Sequence, residues 1–381
     1  MKKALSLMLT AVMALGLAAC GSGEGTTTAS AKTSAETASG ETSSAGNTAG
    51  AASSATKEDV SKSTASASSG EKIVMVWYPN ESASDYQAAR DEFAKLITQA
   101  TGREVEQKLT TDYAIAIESV ASGSAQICFM GAQGYVEANA KNPAVLPLFV
   151  NSGASGTLDD ALYYSWLCVN KGDEASYKNG EEYSLDNIEG KRMSFVSNSS
   201  TSGFKVPTNS IIEHFSQTDQ WKEISADNLI EGDDFFSEVL FGGSHQGSAV
   251  NLLTGKADIA AFCDTELRPY ADCVSGKENY PDAVYQVKSD ASAPFDTLAG
   301  KEFTIIKSTP VLNGPFAYNS EALSADEVKK IQDLFTSDEV AANPQIFVTE
   351  ESGLVGMFEK TDKEKIVLVD DSWYDPVREL K

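Results

Sequence analysis

The run Ser199-Ser200-Thr201-Ser202-Gly203-Phe204 gathers hydroxyl side chains directly between a strand-like and a helix-like segment. Hydroxyls donate to anions, a glycine lets the backbone approach a ligand, and the unpaired N–H groups of a helix start add partial positive charge. Together they form an anion cradle that needs no lysine or arginine. A single hydroxyl before a helix is more simply an N-cap, so the reading rests on several in a row followed by glycine. Asp112-Tyr113 opens another helix, which puts a phenolic donor, or a partly buried ring, at a matching junction. Tyr163 and Tyr164 stand together, one able to face a ligand while the other packs. His245 follows Gly242-Gly243-Ser244 ahead of a further helix, where its ring could donate to an oxyanion or simply lie at the surface. Asp264 and Glu266 come immediately after an apolar strand. Such acids can accept from a ligand ammonium, or from the proton of a protonated oxyanion, which discriminates against fully ionised sulfate.

This set is suited to holding a solute and not to transforming it. A hydrolase needs a nucleophile, a base and an orienter, or a metal. The chain has two histidines, His214 and His245, and five cysteines without C-x-x-C spacing, so neither a metal centre nor a cofactor is expected. Cys128 and Cys168 read as core residues, while Cys263 and Cys273 could pair in an oxidising exterior.

The elements that must position these groups alternate strand and helix. Strands are expected at 72–78, 103–109, 126–130, 145–150 and 163–170, with helices at 83–100, from Asp112 to about 121, and at 135–140. A second stretch repeats the pattern: strand 192–196, helix 203–215, strand 235–241, helix 248–253, strand 258–263 and strand 302–306. Helices at 325–335 and 363–379 finish the chain. The order βαβαβ predicts an α/β protein with mainly parallel sheets covered on both faces. The folded part, 71–381, exceeds what one core comfortably fills, so two lobes are expected. Lobe 1 comprises 71–164 and 309–381 and lobe 2 comprises 165–308, so two crossings form a hinge. The cleft between the lobes, beyond the carboxyl ends of the strands, is then the default site.

The remaining sequence speaks of location. Lys2 and Lys3 precede an apolar run from Ala4 to Ala19, the layout of a signal peptide over 1–19. The run ends in Leu17-Ala18-Ala19-Cys20, which resembles the bacterial lipobox and marks Cys20 for diacylglyceryl attachment. Residues 20–70 then read as the lipidated cysteine and a Ser/Thr/Ala/Gly tether in which Val60 is the sole large aliphatic residue, too polar to build a core. About fifty such residues reach roughly 40 Å. The expected location is therefore the outer face of a bacterial membrane, held by lipid alone. The net charge of -25 repels nucleic acid and acidic lipid surfaces, so any anionic ligand must be held by local dipoles.

Four motifs carry a resemblance: T-D-Y-A-I-A-I (111–117), Y-Y-S-W-L-C-V-N-K (163–171), S-T-S-G-F-K-V-P (200–207) and G-S-H-Q-G-S-A-V (243–250). Across about 73–335 the chain resembles the substrate-binding proteins of phosphonate, phosphite and phosphate ABC transporters, which have the two-lobed type II periplasmic-binding fold. The resemblance implies that Tyr113, Tyr163, Ser200, Thr201, Ser202 and His245 hold the ligand's oxygens, and that ABC permease subunits receive the cargo from a monomeric binding protein. Aminophosphonate-binding members use an acid after the second-lobe strand, here among Asp264, Thr265 and Glu266, and another at the crossing back. That second position reads Asn313-Gly314-Pro315 and carries no acid, so phosphate, phosphite or a phosphonate with a neutral substituent is the expected ligand. The same cleft would also serve a ligand-sensing lipoprotein without a transport role.

Overall fold

The structure, a computed structural model, describes residues 71–381 apart from residue 233. The signal peptide, the Cys20 lipidation site and the tether lie outside the described residues. Two large mixed sheets with helices packed on their faces make up a two-lobed α/β protein.

Strand β1 (Ile73–Trp77) shows why the first sheet is covered on both sides. Its side chains alternate across the pleat. Ile73, Met75 and Trp77 pack into one apolar cluster with Phe93, Phe149, Phe316 and Phe335. Val76 and the following Tyr78 pack into another with Ile117, Val120 and Tyr135. Helices α1 (Gln87–Thr101), α2 (Tyr113–Ala121) and α3 (Ala132–Lys141) supply these faces. Strands β2 (Val105–Leu109), β3 (Ile127–Phe129) and β4 (Val145–Asn151) complete the first half of the sheet. β1 runs parallel to both β2 and β3.

The chain continues along β5 (Leu162–Asn170), which pairs antiparallel with Glu302–Leu312 over nearly its whole length, Leu162 opposite Leu312 and Asn170 opposite Phe303. The second sheet is built around this pair. Leu167 and Val169 face one core with Phe195, Ile211 and Phe235, while Trp166 and Cys168 face the other with Leu252, Phe262 and Phe303. The strands Arg192–Phe195, Glu238–Phe241 and Ile259–Cys263 run parallel, and Ala271–Ser275 with Val284–Val287 close the opposite edge in antiparallel pairing.

Several expectations are corrected. The sheets are mixed and not mainly parallel. Phe316–Asn319 enters the first sheet antiparallel to both β3 and β4, and Ile259–Cys263 lies antiparallel to β5. A chain that leaves and returns through neighbouring strands must reverse direction there, and βαβ repetition in the sequence does not reveal that. The expected C-terminal helix over 363–379 is replaced by a two-residue strand Ile366–Val367 beside β4, a tight turn Asp371–Tyr374 and a short helix Asp375–Arg378. The β-branched Ile366-Val367 suits a sheet edge, and Pro376 fits a helix only within its first turn. The strand expected at 235–241 begins at Glu238, leaving Phe235 and Phe236 as core anchors. Cys263 and Cys273 do not pair. Three strands separate theirs in the sheet, so at about 4.8 Å per step they are roughly 19 Å apart, well beyond a disulfide's reach of about 7 Å between Cα atoms. Both thiols are free. Among the described residues no helix is long and apolar enough to cross a membrane.

Candidate ligand-binding site

A cavity of about 90 Å³ lies where the two lobes meet. Sites for drug-sized ligands span roughly 300–1,000 Å³, so this one suits a solute of a few heavy atoms. Its lining includes Tyr113, Tyr163, Ser200, Thr201, Ser202, His245 and Glu266. Residues far apart in sequence and identified only by type and local spacing thus share one enclosed space. Asp264 is not among them. Its carboxylate accepts the Tyr164 N–H at 2.9 Å, and it lines a neighbouring groove with Trp166 and Arg268. Of the adjacent tyrosines, Tyr163 lines the cavity and Tyr164 packs against the second-sheet core.

Each element delivers its group for a local reason. Ser200 is the N-cap of a π-helical turn, Thr201–Lys205, that leads into α4 (Val206–Phe215). The Ser200 hydroxyl accepts the Gly203 N–H at 3.0 Å. One of its two lone pairs is thereby occupied, and its own proton is free for another acceptor. Thr201 is fed in the same way, from the other lobe: its hydroxyl accepts the Gln133 N–H, in the first turn of α3, at 2.9 Å. Tyr113 begins α2, whose N-cap Asp112 accepts from Ala114, and the Tyr113 phenol oxygen accepts from Asn80 Nδ2 at 2.7 Å. The Ser202 hydroxyl is buried with no partner, while its carbonyl accepts from Ser165 at 2.7 Å. His245 starts the helix His245–Leu253, three residues earlier than the sequence pattern indicated, behind the N-cap Ser244. The pattern of apolar residues begins only at Ala249, which hides the polar first turn.

Among the described residues lining the cavity there is no lysine or arginine. His245 adds no charge, because burial lowers its ring to about 3 and leaves Nδ1 without a partner. Burial likewise raises the phenols of Tyr113 and Tyr163, so both remain neutral donors. One side of the cavity therefore consists of neutral donors, and in Tyr113, Ser200 and Thr201 an oxygen lone pair is already engaged by another N–H group.

Other lining residues escaped the sequence reading. Tyr78, Asn80, Glu81 and Tyr86 all face the cavity. Asn80 and Glu81 follow β1 directly, at the carboxyl end of a parallel strand, so strand polarity could have found them. Glu81 brings a second carboxyl to the cavity that Glu266 lines, at a position distant in sequence from Asn313-Gly314-Pro315. It is buried, and its Oε2 has no partner. Gln246 donates to Glu266 at 3.2 Å, leaving its own Oε1 unpartnered. Burial pushes Glu266 up to about 7, and burial followed by the nearby Glu266 raises Glu81 well above the usual carboxyl range. Arg90 donates to the Glu81 and Ala83 carbonyls and pins this turn.

The lobes also touch directly around the cavity. Ser199 donates to Glu137 at 2.7 Å, the His245 N–H donates to Asn80 Oδ1 at 3.2 Å, and Arg268 pairs with Glu359 at 2.5 Å.

Comparison with known proteins gives this geometry a context. A family model described as "ABC transporter, phosphonate, periplasmic substrate-binding protein" matches residues 75–374. The chain is 28% identical over 338 residues to the phosphate-import protein PhnD of Mycolicibacterium smegmatis, covering 86% of this chain and 91% of that protein. Its fold is similar to that of a binding-protein component of an ABC phosphonate transporter from Pseudomonas aeruginosa, with a TM-score of 0.55 at 19% identity, covering 81% of this chain and 84% of that one. It is also similar to PhnD1 from Prochlorococcus marinus in complex with methylphosphonate, with a TM-score of 0.56 at 15% identity, covering 81% and 96%. With its match across most of the folded part, the chain belongs to the family of periplasmic substrate-binding proteins of phosphonate ABC transporters.

Proposed function

We propose that this protein captures a phosphonate, phosphite or phosphate oxyanion between its lobes and delivers it to the permease of an ABC importer, without chemical change to the ligand. The observation that carries the reading is the set of neutral hydroxyl donors at helix starts, Tyr113, Ser200, Thr201 and Ser202, on a cavity without a lysine or arginine. Donors fixed in advance stabilise an oxyanion without reorganising. The relatives named above, an import protein for phosphate and a methylphosphonate complex, support the same ligand chemistry.

The opposite side narrows it further. Glu81 Oε2 is a buried carboxyl oxygen without a partner, on the same cavity as Glu266. A fully ionised tetrahedral anion offers their carboxylate form no hydrogen, which costs about 1–3 kcal/mol for each group left unsatisfied. A ligand that brings hydrogens, as a protonated oxyanion or an ammonium substituent, satisfies them. Sulfate at neutral pH brings none.

On this reading the lobes are 71–164 with 309–381 and 165–308, hinged where β5 pairs with Glu302–Leu312. The ligand then stabilises the closed state because both lobes contribute to one cavity. Titration calorimetry against phosphate, phosphite, methylphosphonate, aminoethylphosphonate and sulfate tests the proposal. Tight binding to at least one phosphorus compound and none to sulfate is expected; preference for sulfate, or binding to none, overturns it.

A further inference from the structure

Asn80 sits on the turn after β1, buried, and has no place in the family motifs described above. Its side chain joins the two lobes at the cavity wall. Oδ1 accepts the His245 backbone N–H at 3.2 Å, and Nδ2 donates to the Tyr113 phenol oxygen at 2.7 Å. The orientation of this amide is not arbitrary. A backbone N–H can only donate, so the atom facing His245 must be the oxygen and the atom facing Tyr113 must be the nitrogen.

That orientation fixes what Tyr113 can do. Its oxygen is already accepting from Asn80, so its hydrogen has to be donated elsewhere, and Tyr113 lines the cavity. Stacking on Tyr78, with ring centroids 4.1 Å apart, restricts where the phenol ring can turn. Ser200 and Thr201 acquire the same polarity from the backbone N–H groups of Gly203 and Gln133. Tyr113 alone among these three owes it to a side chain, and that side chain is anchored across the lobe boundary.

We infer that Asn80 is a positioning residue for ligand binding: on closure, the His245 N–H sets the Asn80 amide, which in turn aims the Tyr113 hydroxyl proton at the bound oxyanion. The inference rests on the oxyanion reading of the cavity. It also links closure to donor alignment, since the His245 contact exists only when the lobes meet.

The test is a double-mutant cycle between Asn80 and Tyr113, read by calorimetry with the tightest-binding of inorganic phosphate, phosphite and methylphosphonate. Asn80→Leu should weaken binding roughly ten- to a hundredfold in the Tyr113 protein, the range for a hydrogen bond to a charged group. In the Y113F background the same substitution should cost at least fivefold less, because the hydroxyl it acts through is gone. Asn80→Asp keeps an acceptor for His245 but offers Tyr113 a second acceptor, which draws the phenol proton away from the cavity. It separates positioning from lobe bridging and needs no loss of volume. Its penalty too should shrink when Tyr113 is phenylalanine. Thermal unfolding of each ligand-free variant checks that the fold is intact. Equal losses in both backgrounds, with wild-type binding normal, overturn the positioning role alone. Failure of the wild-type protein to bind any of the three probes instead overturns the oxyanion reading beneath it.

Discussion

At the scale of single residues, the cavity is governed by which lone pairs are already occupied. Ser200, Thr201 and Tyr113 each accept one hydrogen bond from within the protein, so each keeps its own proton available to a further acceptor. Glu81 and Glu266 add carboxyl groups to the same cavity, and the titration of Glu266 has a definite sign. Burial raises Glu266 from 4.5 to about 7. In the unfolded chain the carboxyl ionises first, so between pH 4.5 and about 7 the unfolded state binds fewer protons than the folded state. The stability of the ligand-free protein should therefore fall across that window and level off above it. Denaturant titrations at several pH values should show this slope, and Glu266→Gln should flatten it; an unchanged slope in the variant would remove Glu266 as its source. Type and local spacing were enough to mark Tyr113, Ser200 to Ser202 and His245. They could not separate Asp264 from Glu266, because two residues apart on the single helical turn Asp264–Leu267 their acids point to different surroundings.

At the scale of elements, the junctions are tight enough that small side chains matter. Gly131 is the N-cap of α3, with φ −66° and ψ 159°, a conformation open to any residue. Its constraint comes from across the cleft: a Cβ added there would lie 2.8 Å from Thr201 Oγ1. Gly131→Val should thus obstruct closure while leaving both cores untouched. Phosphate or phosphonate binding should weaken more than tenfold, with little change in the ligand-free unfolding midpoint. Wild-type affinity in this variant would mean that the lobes do not approach as closely as described. The helix starts themselves were legible from N-cap chemistry. The C-terminal segment was not, because its edge strand and turns are stabilised by β4 and the Tyr135–Tyr374 contact, which are partners distant in sequence.

At the scale of the whole molecule, a folded receptor follows a long polar stretch, which we propose is a tether from a lipid on Cys20. Cys20→Ser in cells should shift the protein from the membrane fraction to the soluble extracytoplasmic fraction, and continued membrane retention would end the anchor proposal. The sequence by itself determined the alternation of elements, the two-lobed α/β architecture, the family, and the hydroxyl-rich helix starts. These depend on local periodicity, capping and short motifs, which act over a few residues. Only the tertiary structure decided the antiparallel return of Phe316–Asn319, the separation of Cys263 from Cys273, and the arrival of Asn80 and Glu81 on the same cavity as Glu266 and His245. Those outcomes depend on which strands become neighbours and on how the two lobes meet, and pairing across a hundred residues or more leaves no periodic trace in the chain.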